Sequence, residues 1–136
     1  MSGAHPPEPA RALSAFSRYV GFEIAHAEPG FAVMRCAWKP EFVNMSGVAH
    51  GGVIAALMDT ACGVALTTDP DGVRRSRVVT VSFSLTYLAA FREGTITCEA
   101  RVAGGGRKLR TVETRVVGPD GETLLATGHG VFRRIQ

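Results

Sequence analysis

One carboxylate interrupts the most apolar stretch of this chain. Asp59 lies near the middle of Gly52-Val-Ile-Ala-Ala-Leu-Met-Asp-Thr-Ala-Cys-Gly-Val-Ala-Leu66. A mid-helix Asp has poor helix propensity and no free amides to cap. Apolar surroundings make a carboxylate a stronger base than it is at the surface. A structural Asp, bonded to backbone amides of a loop or a partner chain, is the alternative. Just upstream, His50-Gly51-Gly52 puts two glycines where the helix starts, at about 1 kcal/mol each relative to Ala. First-turn amides have no partner inside the helix and sit at the positive end of its dipole. Glycine lets a ligand reach them, which is the chemistry of an oxyanion hole. Close packing of two segments is the plainer reason for glycine there.

Spacing constrains how these groups can cooperate. Gly51 and Asp59 are eight residues apart, hence about 12 Å along a helix axis. A reacting carbonyl must lie within about 3 Å of both its oxyanion donor and its attacking group. One helix cannot supply both. A two-fold pair of helices can, and it builds two equivalent sites.

The elements that must hold these groups follow from the pattern. On a helical wheel Val53, Ile54, Leu57, Met58, Ala61, Val64 and Ala65 share an apolar arc of about 140°. Gly52, Ala55, Ala56, Cys62, Gly63 and Leu66 flank Asp59 on the other arc, so small side chains leave the carboxylate approachable. Residues 1–9 read as a proline-rich tail, and 10–19 as a short helix with Leu13 and Phe16 inward. Strands are expected near 21–28 and 31–38, turning at Pro29-Gly30. A loop over 39–49 precedes a helix over 50–67. Beyond the turn Asp69-Pro70-Asp71-Gly72, the chain alternates. Val79, Val81, Phe83, Leu85 and Tyr87 would share one strand face, with Thr80, Ser82, Ser84 and Thr86 on the other. Further strands are expected over 95–102, 107–117 and 122–134, separated by Gly104-Gly105-Gly106 and Gly118-Pro119-Asp120-Gly121. The fold class is α+β, one long central helix wrapped by an antiparallel sheet of five to six strands. Residues 10–136 form one domain.

Composition excludes several functions. At 136 residues with 46% hydrophobic and 20% charged content, the chain suits an ordinary globular domain. Cys36, Cys62 and Cys98 are isolated, which argues against zinc and redox motifs and suits a reducing cytoplasm. Gly47–Thr68 is long enough to be checked as a membrane span, but Asp59 at its centre would cost about 2.5–3.5 kcal/mol. The net charge of +3 comes without a basic face carrying interleaved aromatics, so nucleic acid is not the expected partner. His26 and His129 read as structural histidines. Gly104-Gly105-Gly106-Arg107-Lys108 lacks the spacing of a phosphate loop.

Asn44-Met-Ser-Gly-Val-Ala-His50-Gly51-Gly52-Val-Ile-Ala-Ala-Leu-Met-Asp59 resembles the signature of the hotdog-fold thioesterases, in their PaaI-like and THEM-like branch. The strand Val79–Leu88 is similar to the family strand after the helix. The resemblance runs from about residue 12 to the C-terminus. It implies a hotdog fold and hydrolysis of an acyl- or aroyl-CoA without metal or organic cofactor. Asp59 would be general base or nucleophile, and the Gly51 N–H the oxyanion donor with Gly52 beside it. Asn44 and His50 would orient or polarise the substrate, and Thr80 would position water. Arg107 and Lys108 would meet CoA phosphates. It also implies a homo-oligomer, dimer or dimer-of-dimers tetramer, with Asp and Thr from one subunit and Asn, His and Gly from the other. Two positions depart from the family: Leu88-Ala89-Ala90-Phe91 replaces an Arg/Ser-Pro-Ala turn, and Gly63 offers no hydroxyl one turn after Asp59. The rival functions are a non-catalytic acyl-CoA-binding protein and a hotdog dehydratase or hydratase.

Overall fold

In a computed structural model the described residues are 13–135. The expected tail over 1–9 lies outside them. The elements are α1 (Ala15–Val20), β1 (Phe22–Glu28), β2 (Phe31–Ala37), a 3-10 turn (Pro40–Phe42), α2 (Gly51–Thr67), β3 (Val78–Tyr87), β4 (Thr95–Gly105), β5 (Leu109–Val117) and β6 (Leu124–Arg134).

The strands form one six-stranded antiparallel sheet in the order β1-β2-β4-β5-β6-β3. That order leaves β1 and β3 as its edges. α2 lies across the sheet, packed on β2, β3, β4 and β5. Its alanines, Leu57, Met58 and Leu66 are strong helix formers. It ends where Thr67 and Thr68 donate their hydroxyls back to the Gly63 and Val64 carbonyls, just before Pro70 forbids continuation. Gly30, at φ 85°, makes the β1–β2 turn and donates its N–H to the Ala65 carbonyl. The hairpin therefore caps one of the carbonyls left open at the helix end.

Ile54, Leu57, Met58, Ala61, Val64 and Ala65 are buried against Met34, Ile96, Cys98, Val112, Val116 and Phe132 of the sheet. Burial of each large side chain contributes about 1.5–3 kcal/mol. The curved sheet reaches further round the helix than the wheel implies. Cys62 and Leu66, expected beside Asp59, are buried in the core. Residues left partly open are Gly51, Val53, Ala55, Ala56, Asp59, Thr60 and Gly63, with Gly52 exposed. Leu57, Met58 and Phe91 are core residues.

Three other expectations need correction. Phe16 points outward, 58% exposed, while Ser17 is the buried residue of α1. Gly104 and Gly105 continue β4, and Arg107 and Lys108 lie in the turn ahead of β5, which starts at Leu109. The alternation of β3 is broken by a bulge between Thr80 and Ser82. An extra residue in one strand resets which face the following side chains occupy. Thr80 and Phe83, three apart, thus both face α2, where strict alternation would oppose them. Among the described residues no helix is long and apolar enough to cross a membrane.

Candidate active site

Asp59 sits half-buried on the open stripe of α2 and accepts a hydrogen bond from Thr80 Oγ1 at 2.6 Å on its Oδ1. The small residues around it, Ala55, Ala56 and Gly63, leave its approach clear. Beside Asp59 and Gly63 opens a cavity of about 410 Å³ whose wall also includes Thr60, Thr80, Arg74, Arg77 and Val79. Arg74 is turned inward and donates from Nε to Thr67 Oγ1 at 2.8 Å. Its neighbour Arg75 instead pairs with Asp69 and Asp71 on the surface, at 3.0 and 2.7 Å.

The other end of the open stripe is the helix start. His50 is its N-cap: Nδ1 accepts from the Gly52 N–H at 3.0 Å. The Val53 N–H goes to the His50 carbonyl. Gly51, ahead of both, has no acceptor for its N–H among the described residues. The Gly52 N–H beside it is held by His50 Nδ1. A nitrogen that accepts carries no proton, so neutral His50 bears its hydrogen on Nε2 and is a donor there. Asn44 folds the preceding loop: its Oδ1 accepts from the Ser46 and Val48 amides at 2.8 and 3.2 Å. With the oxygen committed, its amide NH₂ is the group left to donate.

Tyr87 was legible only as an apolar strand residue. Its hydroxyl donates to the Gly51 carbonyl at 2.7 Å. A Cβ at Gly51 would stand 2.9 Å from that oxygen, closer than packing allows. Glycine at 51 thus leaves room for the Tyr87 phenol to cross the helix start. A second cavity, about 790 Å³, adjoins this end, with His50, Gly52, Val53, Ala56, Phe42 and Tyr19 in its wall.

The two ends do not meet within one chain. Continuous helix separates Gly51 from Asp59, about 12 Å of axial rise. Arg107 and Lys108 are exposed at the β4–β5 tip, beside Arg133 and Arg134 of β6. His26 is exposed and hydrogen-bonded to Glu28 at 2.6 Å; His129 is exposed and faces Glu113 across β5 and β6. Among the described residues no group of three or more His, Cys, Asp or Glu is placed to hold a metal.

Residues 46–125 match the model of the thioesterase superfamily. A conserved protein of Pseudomonas aeruginosa has a solved structure that superposes with a TM-score of 0.85 at 32% identity, covering 95% of this chain and 100% of that one. The PaaI protein of the E. coli phenylacetic acid degradation operon has the same fold, with a TM-score of 0.83 at 23% identity over 94% and 91% of the two chains. A medium/long-chain acyl-CoA thioesterase of Salmonella typhimurium, YigI, is 26% identical over 118 residues, 77% of this chain and 76% of its own.

Proposed function

We propose, from the premise that this chain belongs to the thioesterase superfamily, that it hydrolyses an acyl- or aroyl-CoA to the free acid and CoA. The observation that carries this is the Thr80–Asp59 hydrogen bond beside an open cavity. The bond occupies Asp59 Oδ1 and leaves Oδ2 for water. Thr80, having given its hydrogen to Asp59, keeps a lone pair that accepts from the same water.

Water held there attacks the thioester carbonyl carbon while Asp59 takes its proton. The carbonyl oxygen becomes an oxyanion, which the Gly51 N–H receives, with the Asn44 NH₂ and His50 Nε2–H beside it. Collapse expels the CoA sulfur, and the proton on Asp59 returns to it. In the nucleophilic variant Asp59 Oδ2 itself attacks and CoA thiolate leaves. Water then hydrolyses the resulting anhydride.

Because Gly51 and Asp59 lie so far apart on one helix, the site draws Asp59 and Thr80 from one chain and Asn44, His50 and Gly51 from a second. β3 favours such pairing: it is an edge strand and exposes Val79, Val81 and Tyr87. The exposed Arg107 and Lys108, backed by Arg133 and Arg134, suit the phosphates of CoA.

The test is free-thiol release from a panel of acyl-CoAs by the wild type and by Asp59→Ala. Release by the wild type and its loss in the variant is the expected result. Undiminished release by the variant removes Asp59 from the chemistry. Binding without release by either protein makes the chain an acyl-CoA binder, and a 3-hydroxyacyl or enoyl product makes it a hydratase or dehydratase.

A further inference from the structure

We propose that Tyr87 is a positioning residue for His50, acting through the peptide unit between Gly51 and Gly52; the role rests on the hydrolase function above. That peptide is gripped at both ends. Tyr87 donates to its carbonyl oxygen at 2.7 Å, and its N–H donates to His50 Nδ1 at 3.0 Å. A hydrogen bond to the carbonyl draws electron density through the amide and makes its N–H a better donor. The chain of bonds runs from phenol to peptide to imidazole. It ends by fixing Nδ1 as an acceptor, which puts the single proton of neutral His50 on Nε2.

His50 is exposed and lines the cavity at the helix start, and its Nε2 has no partner among the described residues. The Nε2–H is thus held ready as a donor toward a thioester carbonyl. Tyr87 comes from the same strand as Thr80. β3 therefore carries one hydroxyl that orients the base and another that orients the electrophilic end. Gly51 allows the second contact, since any Cβ there would collide with the phenol.

Imidazole ¹⁵N spectra decide the matter, with His50→Gln assigning the resonance among the four histidines. In the wild type His50 shows the Nε2–H tautomer; an Nδ1–H tautomer overturns the proposal without any variant being needed. Tyr87→Phe keeps the ring over Gly51 and deletes only the donor. It is expected to mix the two tautomers and to lower kcat about tenfold with KM within about twofold, less than the 10²–10³ known for deleting a direct oxyanion donor. An unchanged tautomer together with an unchanged kcat overturns the proposal. Absence of thiol release by the wild type from every acyl-CoA would refute the hydrolase function, while the spectra would still decide the tyrosine's role.

Discussion

Thr80 Oγ1 holds Asp59 Oδ1 at 2.6 Å across the gap between β3 and α2. This one bond selects which carboxylate oxygen stays free. It also depends on the β3 bulge, because without the extra residue Thr80 would face away from the helix. Deleting the two partners should therefore have unequal effects. Asp59→Asn removes the base and is expected to lower kcat by at least about 10³-fold, while Thr80→Val leaves the base and loses about 10–100-fold. Steady-state kinetics with the best acyl-CoA checks both, and equal losses would contradict the division of roles.

A second prediction concerns the glycines around His129. A Cβ on Gly130 would come within 2.7 Å of Phe132 and 2.8 Å of Phe83. Those rings pack edge to face, centroids 6.4 Å apart, and Phe83 follows the bulge that places Thr80. Gly130→Ala should cost about 1–3 kcal/mol through overpacking, read as a lower urea midpoint with an unchanged slope. Activity per folded molecule should fall as well, since Phe83 cannot move without disturbing β3.

These two cases mark what was legible in the sequence. The central helix and its lone carboxylate stood out because one charge broke an apolar run, and His50-Gly51-Gly52 marked its start. Strand order was partly legible through the glycine turns. The bulge was not, because no glycine or proline flags Thr80 or Val81, and alternation then assigned Thr80 the wrong face. Cys62 was misplaced because a wheel cannot know how far a curved sheet wraps. Tyr87 was counted among apolar residues, and its hydroxyl had no partner visible until the fold brought Gly51 beside it. The first-turn amides were legible as a group, whereas the His50 cap that occupies the Gly52 N–H depends on a side-chain rotamer.

The cysteines give a prediction independent of the active site. All three are buried. Burial pushes the Cys36 thiol from 9.0 up to about 11, and that of Cys98 to about 12 despite its contact with Thr114. Cys62 is raised further, again by burial. Since the folded state disfavours the thiolate, these groups favour folding fully below about pH 9, and that contribution is lost as pH rises through their folded values. At pH 8 an aromatic disulfide reagent should label the native protein only slowly and all three thiols at once on unfolding. Rapid labelling of one native thiol would place it outside the core.

Shared sites predict rescue between inactive partners. Asp59→Asn destroys the base and His50→Ala the electrophilic end, so each homodimer has two broken sites. If the two groups come from different chains, a mixed dimer contains one site that carries both lesions and one that carries neither. After unfolding and joint refolding at equal amounts, half the dimers are mixed and each retains one of its two sites, so about a quarter of wild-type activity returns. If both groups acted within a single chain, every site would carry a lesion and mixing would restore nothing. Val81→Asp supplies the complementary test. The exposed valine lies at the bulge on an edge strand, and a buried unpaired charge there opposes pairing. The variant should sediment as a monomer and lose thiol release, even though the Thr80–Asp59 bond lies wholly within one chain. A monomer that still hydrolyses its substrate would show that one helix does what its spacing forbids.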